Sequence, residues 1–172
     1  MDKYYAGIGS RETPPDILKL MTKIAIYLEA QGYILRSGGA YGADSAFAQG
    51  CNELSREIYV PWNNYNGHPM ISLIPNDAFA LASGLHPNWL ALTNGAKALM
   101  ARNCMQILGM NLQSPVKFVI CWTKDGCISE KERTSKTGGT GQAIALASRN
   151  NIPIFNLARK DHLERFDFFK EI

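Results

Sequence analysis

Three short turns of small residues could hold an anion through their backbone N–H groups. They lie at residues 7–10, 37–42 and 137–141, and each joins an apolar run to a segment with helical periodicity. Turns of this kind, placed where a helix begins, leave N–H groups free for a phosphate. The residues predicted to bind a phosphate-bearing ligand are Gly9, Ser10, Arg11, Ser37, Gly38, Gly39, Ala40, Gly42, Thr137, Gly138, Gly139, Thr140 and Gly141.

The elements that must position these turns follow a strand–helix alternation. Apolar runs predict strands at residues 4–8, 34–36, 57–61, 117–122 and 153–157. Helices are predicted at residues 13–32 with Thr13 as the cap, at 42–54, at 76–110 with a break at 86–87, after 137–141, and at 161–169. The pattern predicts one α/β domain over residues 1–172. Its sheet would be Rossmann-like, doubly wound and mainly parallel, with about five strands and helices on both faces.

In a parallel sheet, ligands bind beyond the carboxyl ends of the strands, so the three turns are expected at one edge. Other candidates follow the strands or lie within the long helix. The residues predicted to contact a base or sugar are Trp62, Asn63, Arg102, Asn103 and Trp122. Tyr65 is a further aromatic after a strand that could stack on a base, and core packing is the alternative for these aromatic residues.

The composition limits the function classes. The 172 residues are 46% hydrophobic and 19% charged, which is typical of globular proteins. A net charge of +3 is too small to indicate a duplex-DNA-binding protein but suits one local anion site. The sequence predicts no membrane-spanning segment, signal peptide, metal site or cofactor, since the four cysteines and three histidines lack metal-ligand spacing. A reducing cytoplasm is the expected location.

Two further expectations concern mobility and assembly. Residues 123–136 are charged and aperiodic, which predicts a mobile loop or lid. An apolar stripe on the long helix, together with this loop, predicts a homo-oligomer, a dimer or larger. Neither a G-x-x-x-x-G-K-[ST] phosphate loop nor a complete G-x-G-x-x-G fingerprint is present, so the common ATP and NAD motifs are excluded.

Two of the turns resemble motifs of a known superfamily. Residues 37–44, S-G-G-A-Y-G-A-D, resemble the S-G-G-A-x-G-x-D signature of DNA-processing protein A (DprA). Residues 137–141, T-G-G-T-G, resemble the second Gly-rich turn of the lysine-decarboxylase-like LOG phosphoribohydrolases. Both families belong to the SLOG superfamily of Rossmann-like nucleotide-binding proteins. The stretches G-S-R-E, P-W-N, A-R-N-x-x-Q-I-L-G and F-V-I-C-W-T extend the similarity to the compact DprA-like SLOG proteins that phages often encode.

One departure from the LOG enzymes favours one of the functions that this resemblance implies. LOG enzymes use an Arg on the long helix, matched by Arg102, and a Glu shortly after the second Gly-rich turn, where residues 142–146 hold no acid. The first hypothesis is therefore binding without turnover of a nucleotide or a cyclic nucleotide-derived signal. A phage-encoded protein of this type would sequester a defence messenger in the host cytoplasm.

Two alternatives stay open. One is a nucleoside-monophosphate N-glycosidase in which Asp44 or Glu12 supplies the missing acid and Arg102 assists, because cleavage through an oxocarbenium-like state needs a carboxylate. The plain interpretation of Asp44 is an acid at a helix start that orders its loop. The other alternative is a DprA-like recombination mediator that binds single-stranded DNA, for which the chain lacks a clear basic surface.

Overall fold

The computed structural model of the protein describes residues 2–171. Its sheet has five parallel strands in the order β3-β2-β1-β4-β5. The strands are β1 Lys3–Gly7, β2 Tyr33–Ser37, β3 Arg56–Ile58, β4 Val119–Cys121 and β5 Ile154–Asn156. The chain adds strands on one side of β1 and then on the other, so the order reverses between β1 and β4. The predicted α/β class and the strand number are confirmed.

Six α-helices connect and follow these strands in the described part of the chain. They are α1 Pro15–Ala30, α2 Ala43–Gln49, α3 Asn76–Leu85, α4 Asn94–Leu108, α5 Thr140–Arg149 and α6 Lys160–Glu164. The predicted break near residues 86–87 separates α3 from α4. The helix predicted at residues 42–54 ends earlier, at Gln49, where a Cβ on Gly50 would lie 2.5 Å from the Thr22 carbonyl of α1. Among residues 2–171, no helix combines the length and apolarity that crossing a membrane requires.

The two faces of the sheet carry separate hydrophobic cores, because successive side chains of a strand point to opposite faces. Tyr5 of β1 and Ile120 of β4 face α1 and α2. Ala6 and Val119, the neighbours of these residues, face α3, α4 and α5. Helices on both faces are therefore confirmed. β4, Val-Ile-Cys, is apolar and buried along its whole length because it is covered on both sides.

The start of α1 differs from its prediction and helps to shape the first turn. Pro14 is the N-cap and makes no side-chain capping bond. The Thr13 hydroxyl instead donates to the Ser10 carbonyl at 2.6 Å. The Ser10 hydroxyl accepts from the Glu12 N–H at 3.0 Å. Thr13 thus stabilises the loop after β1 and does not cap α1.

Candidate functional site

A cavity of about 490 Å³ opens at the carboxyl edge of the sheet, beside the reversal of strand order. Its walls come from the loops after β1, β2 and β3, from α4, and from the segment that leads into α5. The lining residues predicted from sequence are Gly9, Ser10, Arg11, Glu12, Ala40, Asp44, Tyr65, Arg102, Asn103, Thr137, Gly138, Gly139 and Thr140. The three small-residue turns are therefore brought together, and contact with a ligand remains a prediction for each.

Arg102 forms part of the cavity floor and joins α4 to the loops after β2 and β3. It is buried, and its Nη1 donates to the Gly38 carbonyl and, at 3.0 Å, to the Tyr59 carbonyl. Burial lowers the pKa of the Arg102 guanidinium, and the nearby Asp44 carboxylate opposes that shift. Much of the hydrogen-bonding capacity of Arg102 is therefore used by bonds within the protein.

Asn103, the next residue of α4, holds the third turn. Its side-chain amide donates to the Gly139 carbonyl at 3.0 Å. Arg102 and Asn103 therefore bind the second and third turns from adjacent positions on one helix. This pairing accounts for two of the three polar residues in the buried half of α4, the third being Gln106. It also fixes the spacing of the two Gly-rich turns.

Asp44, in the first turn of α2, is the second charged group of the floor. Its carboxylate Oδ2 accepts from the Ala40 N–H at 3.2 Å, so it does order its own loop. Burial raises the pKa of Asp44 to about 6, against the opposing effects of Arg102 and of the Ala40 N–H. Asp44 also lines the cavity, so ordering the loop does not exclude a contact with a ligand.

The strap, defined here as residues 123–137, is closed on itself and contacts the rest of the protein, and the mobility predicted for residues 123–136 stays a prediction. Arg133 donates to the Leu85 carbonyl at 2.9 Å, and Asn156 donates to the Cys127 carbonyl at 2.9 Å. Asp125 accepts hydrogen bonds from the hydroxyls of Thr123 at 2.9 Å, Thr134 at 2.7 Å and Thr137. Partial burial raises the pKa of Asp125, but these hydroxyl groups together hold it below its ordinary value. The strap also forms two short 3₁₀ helices, Glu130–Glu132 and Ser135–Thr137.

The third turn presents free backbone donors to the cavity. The N–H groups of Gly138, Gly139 and Thr140 have no acceptor among the described residues. They lie at the beginning of α5, a helix of ten residues, where the helix dipole favours negative charge. N–H groups in this position can hold an anion, and anion binding at this turn remains a prediction.

The exposed charges around the cavity favour an anionic ligand. Arg11, Lys124 and Lys136 carry three positive charges, and Glu12 carries one negative charge. The Arg102–Asp44 pair beneath them is buried. No three His, Cys, Asp or Glu side chains within residues 2–171 are grouped so that they could hold a metal ion.

The aromatic predictions are only partly matched by the structure. Trp62 is 46% exposed, lies outside the cavity lining and meets the Tyr65 ring edge-on at 5.4 Å. Trp122 packs on the α1 side of the sheet, and Asn63 is occupied with the Met70 N–H at 3.0 Å. Tyr65 lines the cavity instead, 5.5 Å from the Arg102 guanidinium carbon. Direct contact between a ligand in this cavity and Trp62, Asn63 or Trp122 is therefore not supported.

Several predicted turn residues lie behind the cavity wall. These are Ser37, Gly38, Gly39, Gly42 and Gly141. The Ser37 hydroxyl donates to the Gly7 carbonyl at 2.6 Å. A Cβ on Gly38 would lie 2.2 Å from Nε2 of Gln106, and one on Gly39 would lie 2.9 Å from Cδ2 of His68. A methyl group at Gly38 would displace buried polar side chains, and Gly39 has a positive φ of 70°, so both positions favour glycine whatever the cavity binds.

Some lining residues were missed by the sequence interpretation. They are Leu99, Met100, Gln106, Lys124, Ser135 and Lys136, together with Ile8. Gln106 carried a usable signal, because it lies one helical turn after Arg102 and shares its face. Lys124 and Lys136 carried none, since nothing in the sequence indicates that the two ends of the strap meet at the cavity.

The chain matches no protein-family model and no curated protein. Among solved structures it is similar to DNA processing protein A from Helicobacter pylori, which was studied for its single-stranded DNA binding mode. The sequence identity is 12%, the TM-score is 0.41, and the similarity covers 98% of this chain and 80% of that chain. A similarity at this level supports no conclusion about what this chain binds.

Proposed function

We propose that this protein binds a nucleotide or a nucleotide-derived signalling molecule in the cavity. The observation that carries the proposal is the convergence of free N–H groups, three exposed cations and an aromatic ring around one cavity of about 490 Å³. That size suits a small molecule. The N–H groups and cations would hold phosphate, and the ring would stack on a base.

The phosphate and the base of such a ligand each have a suitable place in the cavity. The phosphate would lie on the N–H groups of Gly138, Gly139 and Thr140, between Lys136 and Arg11. The base would lie against Tyr65, with the side chain of Leu99 or Met100 as a further apolar contact. Arg102 and Asn103 would act mainly by holding the turns in place, because Nη1 of Arg102 donates to the Gly38 and Tyr59 carbonyls and the Asn103 amide donates to the Gly139 carbonyl.

Sequestration without turnover is the biological role that we favour. The segment after the third turn, residues 142–146, holds no acid and is buried within α5, so no side chain there supplies the carboxylate of a LOG enzyme. The resemblance to compact SLOG proteins of phages motivates a defence messenger as the ligand. A cytoplasmic location and a homo-oligomeric state are parts of the same proposal.

An N-glycosidase is the second candidate, and Asp44 is the observation that favours it. Asp44 lines the cavity with a pKa raised to about 6 by burial, and Glu12 lies on the same cavity. A carboxyl group with a pKa near neutrality can exchange a proton during cleavage of a glycosidic bond. Binding alone leaves the nucleotide intact, whereas this reaction releases the free base.

Neutralising the two lysines at the ends of the strap tests the proposed site. We expect the Lys124→Gln/Lys136→Gln double variant to bind nucleotides about tenfold more weakly, since two exposed charge contacts are lost. Isothermal titration against the four nucleoside monophosphates, 3′,5′-cyclic AMP and GMP, and cyclic di-AMP and di-GMP measures the change. Chromatography of the same mixtures distinguishes an intact nucleotide from a released base.

Lys131→Gln is the matched control, because Lys131 belongs to the strap but does not line the cavity. Its affinity is expected to equal that of the wild type. Failure of the wild type to bind any of these compounds would contradict the proposal, as would an unchanged affinity in the double variant. Binding of an oligonucleotide that falls steeply with added salt would favour single-stranded DNA as the ligand instead.

A further inference from the structure

We infer that Asp44 selects ligands that carry a ribose hydroxyl, so that the cavity prefers ribonucleotides to 2′-deoxynucleotides. This inference rests on the proposed function and names the class of nucleotide that the same cavity would take. The cavity combines groups that attract an anion with the buried, negatively charged carboxylate of Asp44. A site suited to phosphate contains a buried carboxylate, which a phosphate alone does not require.

Asp44 can accept a hydrogen bond from a ligand but cannot attract a phosphate. Its residue is only 4% exposed, yet it lines the cavity. An ionised carboxylate accepts hydrogen bonds, donates none and repels other anions. The Ala40 N–H donates to Oδ2, and hydrogen bonding from the neighbouring Ser37 hydroxyl and Gly38 N–H also lowers the pKa of Asp44. An ionised carboxylate has about four acceptor positions, so Asp44 can still accept from a donor on the ligand.

The position of Asp44 corresponds to the sugar of a bound nucleotide. Oδ2 of Asp44 and Nη1 of Arg102 both lie 2.8 Å from the point that a Cβ on Gly38 would occupy, so the two groups are neighbours. Tyr65 lies against the same guanidinium, at 5.5 Å. Since the ribose is joined directly to the base, a base stacked on Tyr65 leaves its sugar close to Asp44.

The phosphate end of the ligand agrees with this placement. Asn103 adjoins Arg102 and holds the Gly139 carbonyl at 3.0 Å, so the free N–H groups of the third turn begin next to the floor. A 5′-phosphate on those groups and a base on Tyr65 place the ribose between them. The donors that a nucleotide offers at that point are the 2′ and 3′ hydroxyls.

A ligand without the hydroxyl would desolvate the buried carboxylate without supplying it with a hydrogen-bond donor. Sites built to bind a substrate hydroxyl reject the analogue that lacks it far more strongly than an apolar pocket does. We therefore expect the ribonucleotide to bind at least about tenfold more tightly than its 2′-deoxy counterpart. A DNA strand, which lacks the 2′ hydroxyl, would be disfavoured by the same group.

Isothermal titration with matched pairs tests the inference. The probes are AMP, GMP, CMP and UMP, each with its 2′-deoxy counterpart, at about pH 7.5, where Asp44 is mainly ionised. The Asp44→Asn variant keeps the size of the side chain and an acceptor for the Ala40 N–H, but it loses the charge. Its preference is expected to shrink to within about threefold, while the affinity for inorganic pyrophosphate stays equal or rises because a repulsive charge is removed.

Glu12→Gln is the control, because Glu12 is an exposed carboxylate on the rim of the same cavity. It is expected to retain the preference for ribonucleotides. Equal binding of both sugars by the wild type would overturn the inference and leave the proposed function standing, and that comparison needs no variant. A preference that survives in Asp44→Asn, or disappears in Glu12→Gln, would overturn the role of Asp44. Absence of binding by every nucleotide would overturn the inference and the proposed function together.

Discussion

Replacing Arg102 by methionine is expected to lower the free energy of unfolding by about 3–5 kcal/mol, the usual effect of removing one partner from a buried charge pair. The variant leaves the Gly38 and Tyr59 carbonyls without their donor and leaves Asp44 without its positive neighbour. The loop after β2 and the end of β3 would then lose their tie to α4. Nucleotide binding is expected to disappear along with the stability.

The loss of unfolding free energy in Arg102→Met should be larger at high pH than at low pH. Burial already raises the pKa of Asp44 to about 6, and removing Arg102 raises it further, so the folded state holds this proton more tightly than the unfolded chain. Stability contributed by such a group is present at low pH and falls as the pH rises through the folded pKa. Urea unfolding of the variant should therefore show a larger deficit at about pH 7.5 than at about pH 5.

Arg11→Met is the matched control, because Arg11 is an exposed arginine of the same cavity. It is expected to weaken nucleotide binding and to change the unfolding free energy by less than about 0.5 kcal/mol, as for most surface positions. If Arg102→Met were as stable as Arg11→Met, the clamp between α4 and the loop after β2 would contribute little. Arg102 would then be free to act on a ligand.

The parts of the fold that follow from local pattern were predictable. Apolar runs and glycine turns define strand ends, and a helix between successive strands predicts parallel pairing, so the meeting of the turns at one sheet edge follows from topology. The polar pair at Arg102 and Asn103 was visible as an interruption of a buried helix face. The order of the strands was not predicted, because periodicity does not determine which strands pair.

The remaining features depend on loop paths that the sequence does not reveal. Trp62 and Tyr65 both follow β3, but positive φ angles of 63° at Asn64 and 50° at Asn66 bend the chain so that Tyr65 faces the cavity. The path of the strap was not predicted from its charged, aperiodic sequence. Asp125 joins the two ends of the strap through the hydroxyls of three threonines. Side-chain bonds of this kind leave no periodic signal.

Gly42→Ala is expected to be one of the most damaging single-methyl changes in the site. The residue has a φ of 85° and a ψ of −124°, and its added Cβ would lie 2.7 Å from Cα of Arg11 and 2.8 Å from the Ser10 carbonyl oxygen. Both contacts are backbone atoms, which cannot rotate away. We expect a loss of about 1–3 kcal/mol from the strained backbone and a further 1–3 kcal/mol from overpacking. Nucleotide affinity should fall too, because the first turn must move away from α2.

Gly138→Ala separates these two contributions. Gly138 has a similar positive φ of 68°, but an added Cβ would meet no atom within 4 Å, since it borders the cavity. Only the backbone strain of about 1–3 kcal/mol is expected there. Denaturant unfolding of both variants gives the difference between their losses of unfolding free energy. This difference is the energetic cost of the clash between the loop after β1 and the start of α2. Equal losses in the two variants would mean that the approach is not tight, and the first and second turns would then be independent parts of the site.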